Sequence, residues 1–137
     1  MRIAIIACTK TKREGTHPAK ELYNSTLFHF AYAYAEGTCD RIFILSAKYG
    51  LLSPESVITS YDRTLSQFTS TQKKLWDSQV AATLSRQLSQ SDSLVFLCGK
   101  RYRKGLIERF KDRHIEIPLQ GLGFGKQLSW YKKRLTQ

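Results

Sequence analysis

Ser46, Lys48 and Tyr49 place three hydrogen-bonding side chains within four positions, and Gly50 follows with the backbone freedom of a residue lacking Cβ. An ammonium, a phenol and a hydroxyl in that spacing can hold and polarise a small polar ligand. Further along, Tyr61-Asp62-Arg63 sets a carboxylate between an aromatic ring and a cation. The chain carries 22 Lys and Arg against 11 Asp and Glu, so a carboxylate here is readily kept ionised. An ionised carboxylate can stabilise a developing cation or orient water. The plainer alternatives are a strand-to-loop turn with Tyr49 on its rim, and an aspartate that caps a turn or pairs with Arg63.

Three other groups carry related chemistry. Cys8-Thr9-Lys10-Thr11-Lys12, with Arg13 behind it, brings hydroxyls and ammonium groups together, although it lacks the glycines of a phosphate-cradling P-loop. In LCGKRYRKGL, Gly99 allows close backbone approach at a helix start, Tyr102 can stack or hydrogen-bond, and Lys100, Arg101, Arg103 and Lys104 supply charge. In PLQGLGFGKQLSWY, Gly121, Gly123 and Gly125 alternate before a helix and Lys126 follows. No strand and acid come after them, which rules out a dinucleotide-binding fingerprint. His17, His29 and His114 have no ligand spacing. Cys8, Cys39 and Cys98 are an odd set at wide intervals, which points to free thiols and to neither a disulfide framework nor a zinc site.

The elements that must position these groups follow from the apolar pattern. Ile3 to Ala7, Ile42 to Leu45 and Leu94 to Cys98 are continuous apolar runs suited to strands covered on both faces, and Ile115 to Pro118 reads as a fourth, shorter strand. Between them the spacing predicts a helix over Ala19 to Glu36, with Leu22, Leu27, Phe30 and Tyr34 on its apolar face and Gly37 ending it. A second helix runs from Thr71 to Gln90, capped by Ser70 or Thr71, and turns Leu75, Trp76, Val80, Leu84 and Leu88 to the core. A third runs from Gly99 to roughly Phe110, and a fourth from about Gly123 to Leu135. The stretch from Gly50 to Ser70 has no sustained helical period, and loops of that length in compact domains are usually functional or disordered. Its Leu51, Leu52, Val57, Ile58, Tyr61 and Leu65 predict that it packs. Strands alternating with helices imply a single α/β domain, a three-layer sandwich around a mostly parallel sheet of about four strands. Ligands in such sheets bind beyond the carboxyl ends of the strands, where Cys8, Ser46 and Gly99 fall.

At 137 residues the chain is long enough for one self-sufficient core. No segment approaches the roughly twenty apolar residues of a membrane span, and MRIAIIACTKTK reads as a buried strand and not as a secretory leader, so a cytoplasmic location is expected. The formal net charge of +11 predisposes the domain to polyanions. Two of its basic groups, and a third at Lys132, Lys133 and Arg134, favour phosphate contact.

CTKTK, ELYNSTLFHFAYAYA, ILSAKYGLLSPESVITSYDRTL, the tryptophan-containing helix, CGKRY and PLQGLGFGKQLSWY together resemble a bacterial and phage domain family of unknown function, over nearly the whole chain. LSAKYGLLSPESVITSYDRTL is also similar to the Leu-Tyr-Gly-Leu-Leu-x-Pro to Pro-Tyr-Arg stretch of the YaaA peroxide-stress family, with Ser60 in place of its proline and Asp62 in place of its arginine. That resemblance implies DNA binding, and the architecture implies kinship with uracil-DNA-glycosylase-like or Rossmann-like folds. The resulting expectation is a nucleic-acid-directed enzyme, a DNA glycosylase for a modified or unusual base in DNA modification or phage defence. Asp62, Lys12 and Tyr49 are its expected catalytic groups. Cys8, Lys10, Ser46, Lys48, Gly50, Tyr61, Gly99, Tyr102, Gly123 and Gly125 are expected at the substrate. Arg13, Lys100, Arg101, Arg103, Lys104 and Lys126 are expected on the phosphates. No metal or organic cofactor is required, and DNA is the expected partner. The alternatives are a non-catalytic DNA-binding stress-response protein and an enzyme acting on free nucleosides or nucleotides.

Overall fold

The computed structural model describes residues 1–8 and 12–136. Strand β1 (Arg2–Ala7) is followed by a short β2 (Thr16–Pro18), the single turn α1 (Ala19–Leu22) and α2 (Thr26–Thr38). Then come β3 (Arg41–Ser46), β4 (Gly50–Leu52), β5 (Val57–Thr59), a 3-10 turn over Leu65–Gln67 and α3 (Ser70–Gln87). The chain closes with β6 (Ser93–Leu97), α4 (Lys100–Arg109), β7 (Ile115–Glu116) and α5 (Phe124–Leu135). Five strands form one mixed sheet in the order β4-β3-β1-β6-β7, and β2 and β5 form a separate two-stranded sheet. β1 runs parallel to both β3 and β6, and β7 parallel to β6, while β4 returns antiparallel along β3.

Alternation along β1 divides the core. Ala4, Ile6 and Cys8 pack with Phe28, Ala31 and Ala35 of α2 and Tyr131 of α5. Ile3 and Ile5 point the other way, to Trp76, Val80 and Leu84 of α3 and Leu106 of α4. The sheet is therefore covered on both faces, as its unbroken apolar strands require. The neighbouring parallel strands β3, β1 and β6 end at one edge, and that edge carries Cys8, Ser46 and Cys98-Gly99.

Several sequence expectations are corrected here. The stretch from Ala19 to Glu36 is two helices, because Tyr23 is extended and Ser25 caps a new start by accepting from the Phe28 amide at 3.1 Å. Gly37 does not end α2, which continues to Thr38. α3 is capped by Thr69, with Gln72 completing a reciprocal capping box, and stops at Gln87. Leu75 is 59% exposed, because the face of α3 that meets the sheet is set by Trp76, Val80 and Leu84 at intervals of four. The fourth strand is only Ile115–Glu116. Gly125 lies inside the first turn of α5, and Gly123 is its N-cap.

The long stretch after Gly50 does pack, and it does so as sheet. β3 turns back through Ala47–Tyr49 into β4, with Gly50 at φ +77°, and β5 pairs with β2. Backbone bonds from Ala19 to Ser56 (2.8 Å), Lys20 to Pro54 (3.0 Å) and Ser60 to Gly15 (2.9 Å) fasten it to the start of α1 and to the segment before β2. Leu52, Ile58 and Leu65 are buried, whereas Val57 is exposed.

Candidate functional site

Three hydroxyls form a relay at the carboxyl edge. Ser46, wholly buried, donates to the Tyr61 hydroxyl at 2.8 Å, and Tyr61 lies 2.6 Å from the hydroxyl of Tyr23. Ser46 also accepts the Tyr49 amide at 3.0 Å, and its carbonyl accepts from Trp76 Nε1 at 3.0 Å. The fixed extended end of β3 thereby determines where Tyr61, Tyr49 and Trp76 sit. Lys12 holds its ammonium 4.5 Å from the centre of the Tyr61 ring and 6.0 Å from that of Tyr23. Burial lifts the Tyr23 hydroxyl to about 12 and the Tyr61 hydroxyl higher still. Both therefore stay protonated at neutral pH and act as neutral hydrogen-bonding groups.

Beside this relay, Cys8 Sγ lies 3.2 Å from the Tyr102 hydroxyl, which burial again holds far above the ordinary tyrosine range. This pair forms a common wall between two cavities. One, of about 220 Å³, is lined by Lys12, Arg63 and Arg101 together with Thr64, Leu65 and Ser66. The other, of about 310 Å³, reaches under the wall to Phe28, Leu97, Leu119, Gln127 and Tyr131. The first is cationic and suits an anion; the second is mostly apolar and suits a flat ring. Gly99 is the N-cap of α4 at the mouth of the second, with no side chain capping the helix.

Arg101 lines both cavities and also a larger open groove of about 920 Å³ between α3 and α4. Lys73, Lys74, Lys100, Lys104 and Arg109 join it there, against Asp77 and Glu108. Asp77 is buried and paired with Lys73 at 2.5 Å. Gly105 makes this approach of the helices feasible: a Cβ at that position would come within 2.1 Å of Asp77 Oδ2.

The edge thus gathers Cys8, Lys12, Ser46, Tyr61, Gly99, Lys100, Arg101, Tyr102 and Lys104 from the sequence-predicted set. Others sit differently. Lys48 is exposed on the β3–β4 turn, its ammonium 5.2 Å from the ring centre of Tyr49, and Tyr49 packs edge-on to Tyr61 and donates to the Thr59 carbonyl at 3.2 Å. Gly50 shapes that turn. Asp62 is exposed on the loop next to Arg63, and neither cavity is lined by it. Arg103 turns inward to donate to the Cys98 carbonyl at 2.8 Å. Arg13 is exposed, its amide bonded to the Leu22 carbonyl at 2.7 Å. Lys126 belongs to a separate hollow of about 380 Å³ with Trp130, Lys133 and Arg134, whose guanidinium lies 3.7 Å over the Trp130 ring. Gly123 and Gly125 are exposed at the start of α5, and Lys10 lies outside the described residues.

Sequence reasoning missed Tyr23 as a member of the relay, Arg63, Gln127 and Tyr131 as lining residues, and Lys73, Lys74 and Arg109 in the groove. For Tyr23 a signal existed: Asn24-Ser25-Thr26 is a helix-start pattern, and it would have separated the tyrosine from the following helix. Among the described residues no cluster of His, Cys, Asp and Glu could hold a metal ion, and no helix is long and apolar enough to cross a membrane.

The chain is similar to the uncharacterized protein YfjM of Bacillus subtilis (strain 168), with 32% identity over 139 aligned positions that cover 90% of this chain and 89% of that protein. Residues 3–133, which include every wall of the paired cavities, match the family of unknown function DUF6884, and the chain belongs to that family.

Proposed function

We propose that the chain is a nucleic-acid-directed enzyme that takes a single extruded nucleotide into the paired cavities and cleaves its N-glycosidic bond. The observation that carries this reading is the sharing of one Cys8–Tyr102 wall by an apolar cavity and a cation-lined cleft, with Arg101 leading from both into a basic groove. A base enters the apolar side, its phosphate rests against Lys12, Arg63 and Arg101, and the flanking strand follows the groove between α3 and α4. In the reaction the bond from C1′ to the base nitrogen breaks, water adds its oxygen to C1′, and the base leaves with the bonding electrons and gains a proton. Asp62, beside Arg63 at the rim, is the carboxylate assigned to the sugar cation and the attacking water. The neutral hydroxyl of Tyr102, in the wall shared by both cavities, stabilises charge on the departing base, with the ammonium of Lys12 acting across that wall. The uracil-DNA-glycosylase-like three-layer arrangement expected from the sequence belongs to the same reading, as does DNA as the partner.

A second reading is favoured by one observation: neither cavity is lined by a carboxylate. On that reading the chain binds DNA and does not cut it. Mass spectrometry of bases released from normal, damaged and phage-modified DNAs separates the two. Release by the wild type and its loss in Asp62→Asn, with binding retained, supports cleavage. Binding of every DNA with no base released leaves the binding reading alone, and turnover of free nucleosides as fast as polymer assigns the cavity to a nucleoside enzyme.

A further inference from the structure

Tyr131 is completely buried, and its hydroxyl has no hydrogen-bond partner among the described residues. A buried hydroxyl without a partner is costly, so one that persists calls for a reason. Here the hydroxyl belongs to a residue that lines the 310 Å³ cavity, and it is not alone in being unused. Gln127 stands one helical turn earlier on α5 and lines the same cavity. Its amide nitrogen donates to the Leu122 carbonyl at 2.9 Å, which fixes the orientation of the amide and leaves its carbonyl oxygen as an acceptor. Across the cavity α4 begins at Gly99 with no side-chain cap, while the first turn's later amides, of Tyr102 and Arg103, return to the Gly99 carbonyl. The amides of Lys100 and Arg101 have no acceptor among the described residues and form the positive end of the helix. The cavity therefore offers donors from α4, an acceptor from Gln127 and a hydroxyl that can serve either way, all set in apolar walls.

We propose that this cavity selects a nucleobase that presents a carbonyl directly beside a ring N–H, as guanine and uracil do, over adenine and cytosine. The α4 amides can only donate and so demand a carbonyl oxygen; the Gln127 oxygen can only accept and so demands an N–H. Adenine has no carbonyl, and the carbonyl of cytosine is flanked by ring nitrogens that carry no proton. The Tyr131 hydroxyl takes the remaining polar atom of the base edge. This inference rests on the reading of the cavity as a base site and specifies what that site accepts.

Fluorescence anisotropy of short abasic strands, each carrying one test base, measures the selection directly. Uracil and guanine strands should bind at least about tenfold more tightly than adenine and cytosine strands, because a buried acceptor left facing another acceptor is strongly disfavoured. Gln127→Leu should abolish the preference, and Tyr131→Phe should narrow it, while both variants keep the affinity of the wholly abasic strand. Tyr131→Phe should also melt no lower than the wild type. Equal binding of all four bases with strong binding of the abasic strand would overturn the selection and leave the nucleic-acid reading standing. Failure of every strand to bind would remove that reading and the inference with it. A clear drop in the melting temperature of Tyr131→Phe would mean that the hydroxyl has a native partner, and would also overturn the proposal.

Discussion

The two edges of the central sheet treat charge in opposite ways. At the amino edge charged side chains find partners inside the fold, although the buried Nε of Arg113 has none among the described residues. The guanidinium of Arg2 makes two bonds of 3.0 Å to Glu116 and one of 2.7 Å to the Thr38 carbonyl, and Asp92 takes the Met1 amine and the Ser89 amide at 2.9 Å each. Those contacts, the Ser89 amide foremost, lower the Asp92 carboxyl to about 2. Arg113 donates to the carbonyls of both Ser89 and Asp92. At the carboxyl edge the relay is built of neutral hydroxyls, the Lys73–Asp77 pair is confined to the adjoining groove, and Arg63, Lys100, Arg101 and Lys104 take part in no ion pair among the described residues. Internal pairing stabilises a fold and is indifferent to ligands; cations left facing cavities repel one another until an outside anion arrives. On the proposed reading, the same sheet separates a scaffold edge from a binding edge.

The sharpest way to break that comparison is to remove carboxyl-edge cations. Arg63→Ala and Arg101→Ala should each lower affinity for single-stranded DNA about tenfold, the loss of one charge-assisted contact of ~1.4 kcal/mol, and reduce the salt slope by about one. Thermal melts of both should stay within about 0.5 kcal/mol of the wild type. A large loss of stability would place these cations in the scaffold after all. Next in size, Gly105→Ala should cost about 2 kcal/mol in chemical denaturation, since its methyl group meets the trapped Asp77 carboxylate at 2.1 Å. At the amino edge, Arg2→Met should cost about 1 kcal/mol, the worth of a two-pronged but half-exposed pair, with DNA affinity unchanged.

The smallest effect is one of pH. The hydroxyl of Tyr23 is raised to about 12 by burial, against an ordinary value of 10.0, and Tyr61, Tyr102 and Tyr131 are raised further. The folded state thus favours the protonated phenols. Their contribution is complete below pH 10; that of Tyr23 is lost as pH rises through about 12, and that of the other three at still higher pH. Melting temperature should hold steady up to the lower value and then fall, with ionisation of Tyr23, Tyr61, Tyr102 and Tyr131, followed residue by residue by NMR, appearing together with unfolding. Ionisation of Tyr23 or Tyr61 in the still-folded protein at pH 10.5 would show that the relay is open to water.

How much of this was legible in the sequence depends on how locally each feature is encoded. The runs at Ile3, Ile42 and Leu94 announced buried parallel strands because both of their faces are apolar, and Gly50 announced its turn because only a residue without Cβ is at ease at φ +77°. The polar residues that end those strands were readable as a shared edge for the same reason. The break at Tyr23 was masked by aromatic residues on both sides that continue a helical-looking pattern. The β2–β5 sheet was unreadable, since three-residue strands carry too little alternation to register. Tyr131 and Gln127 reach the cavity only because α5 packs on α2 across the sheet face, a contact that no local spacing encodes. Arg103, one position from groove-lining Lys104, shows the limit of reading charge from composition: helical phase turns it to a backbone carbonyl.

The thin wall between the two cavities has a practical consequence. Cys8 touches both spaces, whereas Cys98 lines only the apolar one, and burial pushes its thiol up to about 12. Cys39 lies at the far end of the sheet, so a Cys39→Ser, Cys98→Ala variant carries a single thiol, placed in the shared wall. A thiol-directed dye or a slow alkylating reagent would then turn the protein into its own occupancy sensor. Any compound that fills either chamber should shield that one atom, and a library can be screened for such shielding before a substrate is known.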